Sequence, residues 1–189
     1  MRGIQKVCTP PCYEGAGVSP SPDVFQVFFP RMYGCFQENL DKLIQQDPTL
    51  RRNFPGTPFA AASINFGPQT VCYPHRDWNN VSWGECCILA LGDYDDEKGG
   101  HLAFWDLGLV IRFPPGSIIF LPSALVRHSN TPIAPHEHRY SFAQYTSGGL
   151  LCWVGHGFKP VPKKLKESDE VQQKRWRDGL GMFSKLSEF

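Results

Sequence analysis

Residues 86–122 read CCILALGDYDDEKGGHLAFWDLGLVIRFPPGSIIFLP, and the punctuation of that stretch decides the fold class. Four β-rich runs, 86–92, 101–105, 109–113 and 117–121, are separated by turn residues such as Lys98-Gly99-Gly100 and Pro114-Pro115-Gly116. Runs this short at this spacing fit a β-sandwich or jelly roll better than a sheet alternating with helices. Pro115-Gly116 suits a type II turn joining two antiparallel strands. Further out, runs at 58–66, 69–75, 125–129, 139–146 and 150–154, with breaks at Gly67-Pro68 and Gly148-Gly149, extend the pattern. The expected fold is mainly β (α+β), with flanking N- and C-terminal helices.

The flanks read differently. Thr9-Pro10-Pro11, Gly15-Ala16-Gly17 and Ser19-Pro20-Ser21-Pro22 predict that the first thirty residues form an irregular strap around the core. Leu40, Leu43 and Ile44 repeat at helical spacing as far as Asp47-Pro48, where a capping residue before proline predicts a second, short helix. Ser168 or Asp169 to Leu180 is predicted helical, closing near Gly179 and Gly181. This gives one domain over 1–158, made of a strap with helices (1–57) and a β core (58–158), followed by a basic helical tail over 159–189.

With 41% hydrophobic and 13% aromatic residues, a chain of 189 residues can bury one sizeable core. No apolar run approaches the ~18 residues of a membrane span, and the N-terminus lacks a basic and apolar leader, so a soluble, unsecreted, monomeric protein is expected. Seven cysteines, an odd number without a C-x-x-C pair, predict reduced thiols and no structural zinc. Net charge is +1, but residues 159–189 hold eight Lys/Arg against five Asp/Glu. That tail fits either a phosphate contact or a solvated helix of mixed charge.

The chemistry is carried by His75-Arg76-Asp77, His128 and Arg139-Tyr140-Ser141. In a strand, residues two apart share a face, so His75 and Asp77 can reach one ion, and His128, in a neighbouring β run, supplies the third ligand. An H-x-D alone arises by chance roughly 0.3 times in a chain of this composition, so the specificity lies in the whole order. Two imidazoles and one carboxylate are the ligand set of non-haem Fe(II) oxygenases, with positions left open for O2 and a bidentate 2-oxo acid. Arg139, Ser141, Ala143 and Tyr145 share a face, with Arg139 and Tyr145 about 20 Å apart along an untwisted strand. The guanidinium suits the carboxylate of 2-oxoglutarate, and the Ser141 hydroxyl adds a donor. Asn65 and Phe66 are candidates for cosubstrate contact, and Trp78, Trp83 and Trp105 for flanking the pocket. His101, His136, His138 and His156 read as hydrogen-bonding or surface residues.

These residues also carry a family likeness. Ser63-Ile64-Asn65-Phe66-Gly67-Pro68, Leu89-Ala90-Leu91-Gly92-Asp93-Tyr94, Gly99-Gly100-His101-Leu102, Trp105-Asp106-Leu107-Gly108-Leu109, Phe113-Pro114-Pro115-Gly116-Ser117 and His128-Ser129-Asn130-Thr131-Pro132-Ile133 accompany the triad. With them the chain resembles the TET/JBP branch of 2-oxoglutarate/Fe(II) dioxygenases, in particular the short transposon-associated proteins of mushroom-forming fungi. The resemblance implies a double-stranded β-helix core with iron on His75, Asp77 and His128, and 2-oxoglutarate on Arg139 and Ser141. It further implies that Asn80 reads a cytosine edge and Tyr145 stacks on a flipped base. Oxidation of 5-methylcytosine in DNA to 5-hydroxymethylcytosine and onward is then the expected activity, at an intracellular, nuclear location. The histidine that animal relatives carry two residues beyond the stacking aromatic is Ser147 here. The triad does not encode the substrate, so another nucleobase, a protein side chain, a small molecule, or an inactive binding module remain open.

Overall fold

A computed structural model describes residues 22–52, 54–160 and 168–188. Most of the expected strap lies outside these residues. From Pro22 onward the chain is already helical: α1 spans Pro22–Phe28 and α2 spans Pro30–Gln46. Pro30 stands in the first turn of α2, where its missing N–H costs nothing. Met32, Phe36 and Leu40 recur every four residues along one buried stripe. No helix starts at Asp47. Its carboxylate accepts from the Thr49 amide (3.0 Å) and hydroxyl (2.6 Å), which closes a tight turn and exhausts the cap.

Among the described residues seven strands follow: β1 (Ala61–Asn65), β2 (Cys86–Asp93), β3 (Leu102–Phe104), β4 (Leu109–Ile111), β5 (Ile118–Leu121), β6 (His128–Asn130) and β7 (His138–Tyr145). They form two antiparallel sheets, ordered β1-β7-β2-β5 and β4-β3-β6. This is a jelly-roll arrangement flanked by helices. The strand expected over 69–75 does not form. Pro68 and Pro74 interrupt it, the Cys72 amide donates to the Asn130 side chain (2.8 Å), and only isolated bridges at Gln69 and His75 remain. The Pro115-Gly116 turn does form, with Gly116 at φ 82° and the Ser117 amide donating to Pro114 O at 3.1 Å. It carries the chain from β4 in one sheet to β5 in the other, and so closes no hairpin.

The predicted strand 150–154 is instead part of α3 (Gly148–Gly155), because the Ser147 hydroxyl accepts from the Gly149 amide and caps a first turn. A short apolar run reads the same in either state, and the cap decides. The last helix, α4 (Asp169–Leu180), is capped by Ser168 as predicted. Gly179 presses on Trp83, and the residues after α4 clasp the N-terminal helices: Ser184 Oγ donates to Phe28 O at 2.7 Å, and Arg31 pairs with Glu188 at 3.1 Å.

Two cores result from the alternation of the large sheet. Cys87 and Phe120 face outward to Phe25, Met32, Phe36 and Phe59, where Phe25 lies 4.8 Å from Phe59 and 5.2 Å from Phe120. Ile88, Ala90, Ile119 and Leu121 face inward to Leu102, Phe104 and Ile111 of the small sheet. Each fully buried aromatic contributes about 2–3 kcal/mol. The inward core gives way at one end to polar side chains, and a cavity opens there.

Candidate metal centre and its cavity

The cavity has a volume of about 500 Å³, and its walls include His75, Asp77, His128, Arg139, Ser141 and Tyr145. His75 and His128 are brought together by a backbone bridge, with the amide of each donating to the carbonyl of the other at 3.0 and 2.9 Å. Their rings lie 4.5 Å apart, and His75 Nε2 stands 3.5 Å from Asp77 Oδ1. One ligand atom from each of His75, Asp77 and His128 lies within 4.8 Å of the others. Among the described residues no other group of three such side chains converges.

The tautomers are set locally. His75 Nδ1 is 2.7 Å from Tyr73 O and His128 Nδ1 is 2.9 Å from Val126 O, so each ring donates through Nδ1 to the carbonyl two residues upstream. Both Nε2 lone pairs are then free for an ion. Burial lowers the pKa of His128, with the neighbouring His75 adding to this, and keeps the ring neutral as a ligand must be. Asp77 is held by its amide, which donates to Ser123 O at 3.0 Å. Asn80 Nδ2 donates to Ser123 Oγ at 2.9 Å and, more weakly, to Asp77 Oδ2 at 3.4 Å. This donor set, two imidazole nitrogens and one carboxylate with an open side, suits Fe(II).

β7 builds the opposite wall. Arg139, Ser141, Ala143 and Tyr145 all line the cavity, as strand alternation requires. Arg139 is 2% exposed, yet it has no carboxylate partner among the described residues. Its Nη1 donates to Thr70 O at 3.4 Å, its Nε has no partner, and its guanidinium lies against Tyr94, 6.0 Å over the ring. A buried cation left unpaired is costly, and a ligand carboxylate relieves that cost. Ser141 Oγ accepts from Asn65 Nδ2 at 2.8 Å, which leaves the hydroxyl proton to donate. Glycine is required beside this arginine: Gly92, its partner across the β2–β7 ladder, has φ 118°, and a Cβ there would sit 2.2 Å from His138 O.

Other sequence candidates fall elsewhere. Trp78 lines the cavity mouth and is 75% exposed, whereas Trp83 packs in the outer core, 6.0 Å from Phe36. Phe66 is 81% exposed and faces a separate open groove. Tyr145 lines the cavity with its hydroxyl 3.3 Å from Ser63 Oγ. Ser147 is engaged as the cap of α3. The strand placement of His75 and Asp77 is corrected to an extended segment pinned at single points. The sequence reading gave no role to Ser123 or Asn130. Asn130 is buried, accepts from the Cys72 amide (2.8 Å) and donates to Thr70 O (2.9 Å) and Thr131 O (3.1 Å). Its place two residues after His128, on the same face of β6, was the available signal.

No family model matches the chain, and no curated protein does. Among solved structures it is similar to NgTET1 in complex with 5mC DNA, at 13% identity over 82% of this chain and TM-score 0.47. The chain spans 60% of that protein's length. It is also similar to the viral collagen prolyl hydroxylase of Paramecium bursaria Chlorella virus-1 in its 2OG complex, at 14% identity over 57% of this chain and 68% of that one, TM-score 0.33. A protein of unknown function with a cupin-like fold from Ralstonia eutropha matches at 13% identity over 56% of this chain and 77% of that one, TM-score 0.26.

Proposed function

We propose that this protein is an Fe(II)- and 2-oxoglutarate-dependent dioxygenase that oxidises 5-methylcytosine in DNA. The observation that carries the reading is the pairing, in one cavity, of three convergent side chains of metal-binding type with a buried arginine that has no acid partner among the described residues. His75, Asp77 and His128 would hold the metal, and Arg139 with Ser141 would hold the far carboxylate of 2-oxoglutarate, with Asn65 fixing the Ser141 hydroxyl. The metal and cosubstrate would supply the oxidation: 2-oxoglutarate and O2 would give succinate and CO2, with one oxygen atom entering succinate and the other a substrate C–H bond.

The chain's own groups orient the reactants and exclude water. Ile88, Leu102 and Ala143 give the cavity an apolar floor. Tyr145 offers a ring for stacking, worth about 1–3 kcal/mol, against the few kcal/mol needed to extrude a base from a duplex. Asn80 spends its amide N–H groups on Ser123 and Asp77, and among the described residues its Oδ1 is free. An acceptor there fits the N4 amino group of cytosine and opposes the O4 of thymine. A nuclear location accords with a DNA substrate.

The test is mass spectrometry of nucleosides after incubating purified, iron-loaded protein with 2-oxoglutarate and methylated DNA. We expect 5-hydroxymethylcytosine and its further oxidation products. Absence of any oxidised cytosine at confirmed iron occupancy rejects the reading.

A further inference from the structure

Each backbone arm that carries a ligand histidine also carries an arginine beside it, Arg76 after His75 and Arg127 before His128. Arg76 lines the mouth of the cavity, and Arg127, outside the cavity lining, is joined to it through Asp106. The Arg76 guanidinium lies over the Trp78 indole at 5.5 Å, and that of Arg127 lies over the Trp105 indole at 5.7 Å. Asp106 joins the two pairs: Oδ2 accepts from Arg76 Nη2 at 2.9 Å and from the Arg127 amide at 2.7 Å, while Oδ1 stands 3.9 Å from Arg127 Nε. The Trp105 indole is held in place by its N–H, which donates to Ser129 Oγ at 3.0 Å.

The five residues are therefore one connected unit with a defined geometry. One carboxylate offsets one of two guanidinia, so the unit stays positive. Trp78 is 75% and Trp105 51% exposed, and Leu107 beside them is 65% exposed. Large apolar surface left in water beside a functional cavity marks a contact surface. Arg76 and Trp78 belong both to the rim and to the cavity wall, so whatever places a group in the cavity continues across the rim.

We propose that this rim is a platform for a single strand of nucleic acid, gripping the nucleotides that flank the one in the cavity. This rests on the nucleic-acid reading of the same cavity. Indoles offer stacking to bases only when those bases are free of their own partners, and every base has a face to stack. The guanidinia meet the phosphates between them, which is the charge complementarity that a neutral peptide or metabolite lacks. A strand without its complement also avoids the extrusion cost that a duplex imposes at the target base.

The test is fluorescence anisotropy of labelled, unmethylated oligonucleotides of about twelve nucleotides, single-stranded and duplex, over a salt series. Because the probe is unmethylated and no turnover is read, the result is independent of whether 5-methylcytosine is the base oxidised. We expect tighter binding of the single strand than of the duplex. Trp105→Ala should weaken it about tenfold, with Trp105→Phe, which keeps a stacking ring, retaining most of the affinity. Arg127→Gln should lower the slope of log K against log salt by about 0.7. Preference for the duplex, equal loss in Trp105→Phe, or unchanged binding in both Trp105→Ala and Arg127→Gln overturns the proposal. Oxidation of methylated duplex DNA alongside such a failure would leave the proposed activity standing.

Discussion

The two walls of the cavity are held by different means. β7 is hydrogen-bonded on both sides, to β1 and β2, over most of its length, and it delivers Arg139, Ser141, Ala143 and Tyr145 by alternation alone. The facing wall, residues 69–80, is no strand. Its backbone hangs from separate points: the Thr70 amide on Arg139 O, Cys72 on the side chain and amide of Asn130, the His75–His128 bridge, the Asp77 amide on Ser123 O, and the Asn80–Ser147 bridge. A ladder is redundant, so it can carry an unpaired buried cation without losing its shape. A tethered segment can bend to present two ligands from three residues, but each tether matters.

The largest expected effect sharpens the ladder half of this contrast. Arg139→Met should cost about 10²- to 10⁴-fold in 2-oxoglutarate affinity, because two charge-assisted hydrogen bonds of about 1.5–3 kcal/mol each are lost. The same change should leave the melting temperature unchanged or raised, since it removes a buried charge without a partner. Calorimetric titration of 2-oxoglutarate and a thermal melt measure the two sides. A variant that unfolds would show that β7 depends on the guanidinium and would break the contrast.

The rear of the same sheet supplies a second test. Glu85, which precedes β2, is 6% exposed, and its Oε2 has no partner, so burial pushes its pKa from 4.5 up to about 7. The folded state then holds a proton that the unfolded chain has released between those two values. Stability contributed by the neutral form is present at acid pH and lost as pH rises through about 7, by up to about 3 kcal/mol. In Glu85→Gln that component should vanish, and the gap between wild type and variant in urea-derived stability should change by this amount between pH 4 and pH 8. A constant gap would mean that the ladder leaves this carboxyl in water.

The contrast also accounts for what could be read in the sequence. Runs that became β2, β5 and β7 were legible because they are short, β-rich and bounded by turn residues, and Arg139 to Tyr145 took a common face from strand alternation. His75, Asp77 and His128, picked out by residue type and order, converge. The backbone that carries His75 and Asp77 was not legible, because its hydrogen bonds go to Asn130, Ser123 and isolated bridges, which no periodicity encodes. α3 was misread for a related reason: Leu150 to Val154 is apolar in either state, and one hydroxyl at Ser147 selects the helix. Asn80 shows the limit for function, since nothing in its position announced that its N–H groups are taken by Ser123 and Asp77.

Breaking a tether should therefore cost more at the metal than in the fold. Asn130→Ala removes the acceptor of the Cys72 amide and the donor to Thr70 O, the carbonyl that also faces Arg139. Unmet groups at this buried position should cost about 1–3 kcal/mol in stability. Metal affinity should fall about 10–100-fold as the segment entering His75 loses its anchor, by analogy with other outer residues that orient ligands. Titration with Co(II), read by visible absorbance, separates this from any loss of turnover. Unaltered Co(II) affinity would show that the backbone tethers hold that wall without the Asn130 side chain.

The smallest effect is expected where the two walls meet. Ser147 follows β7, forms an isolated bridge with Asn80, and is flanked by the Val81 amide on Thr146 O (3.0 Å) and the Gly148 amide on Asn79 O (2.9 Å). All of these contacts are backbone, so the junction does not need the serine side chain. The hydroxyl instead accepts from the Gly149 amide at 3.2 Å and starts α3. Ser147→Ala should lower stability by about 1 kcal/mol, while Ser147→Gly, also a tolerated cap, should lower it by only a few tenths. Both should leave 2-oxoglutarate and Co(II) affinity at the wild-type level. A loss of either affinity in Ser147→Ala, without the same loss in Ser147→Gly, would mean that the cap sets the position of Asn80, and that the two walls are coupled through a side chain as well as through the ladder.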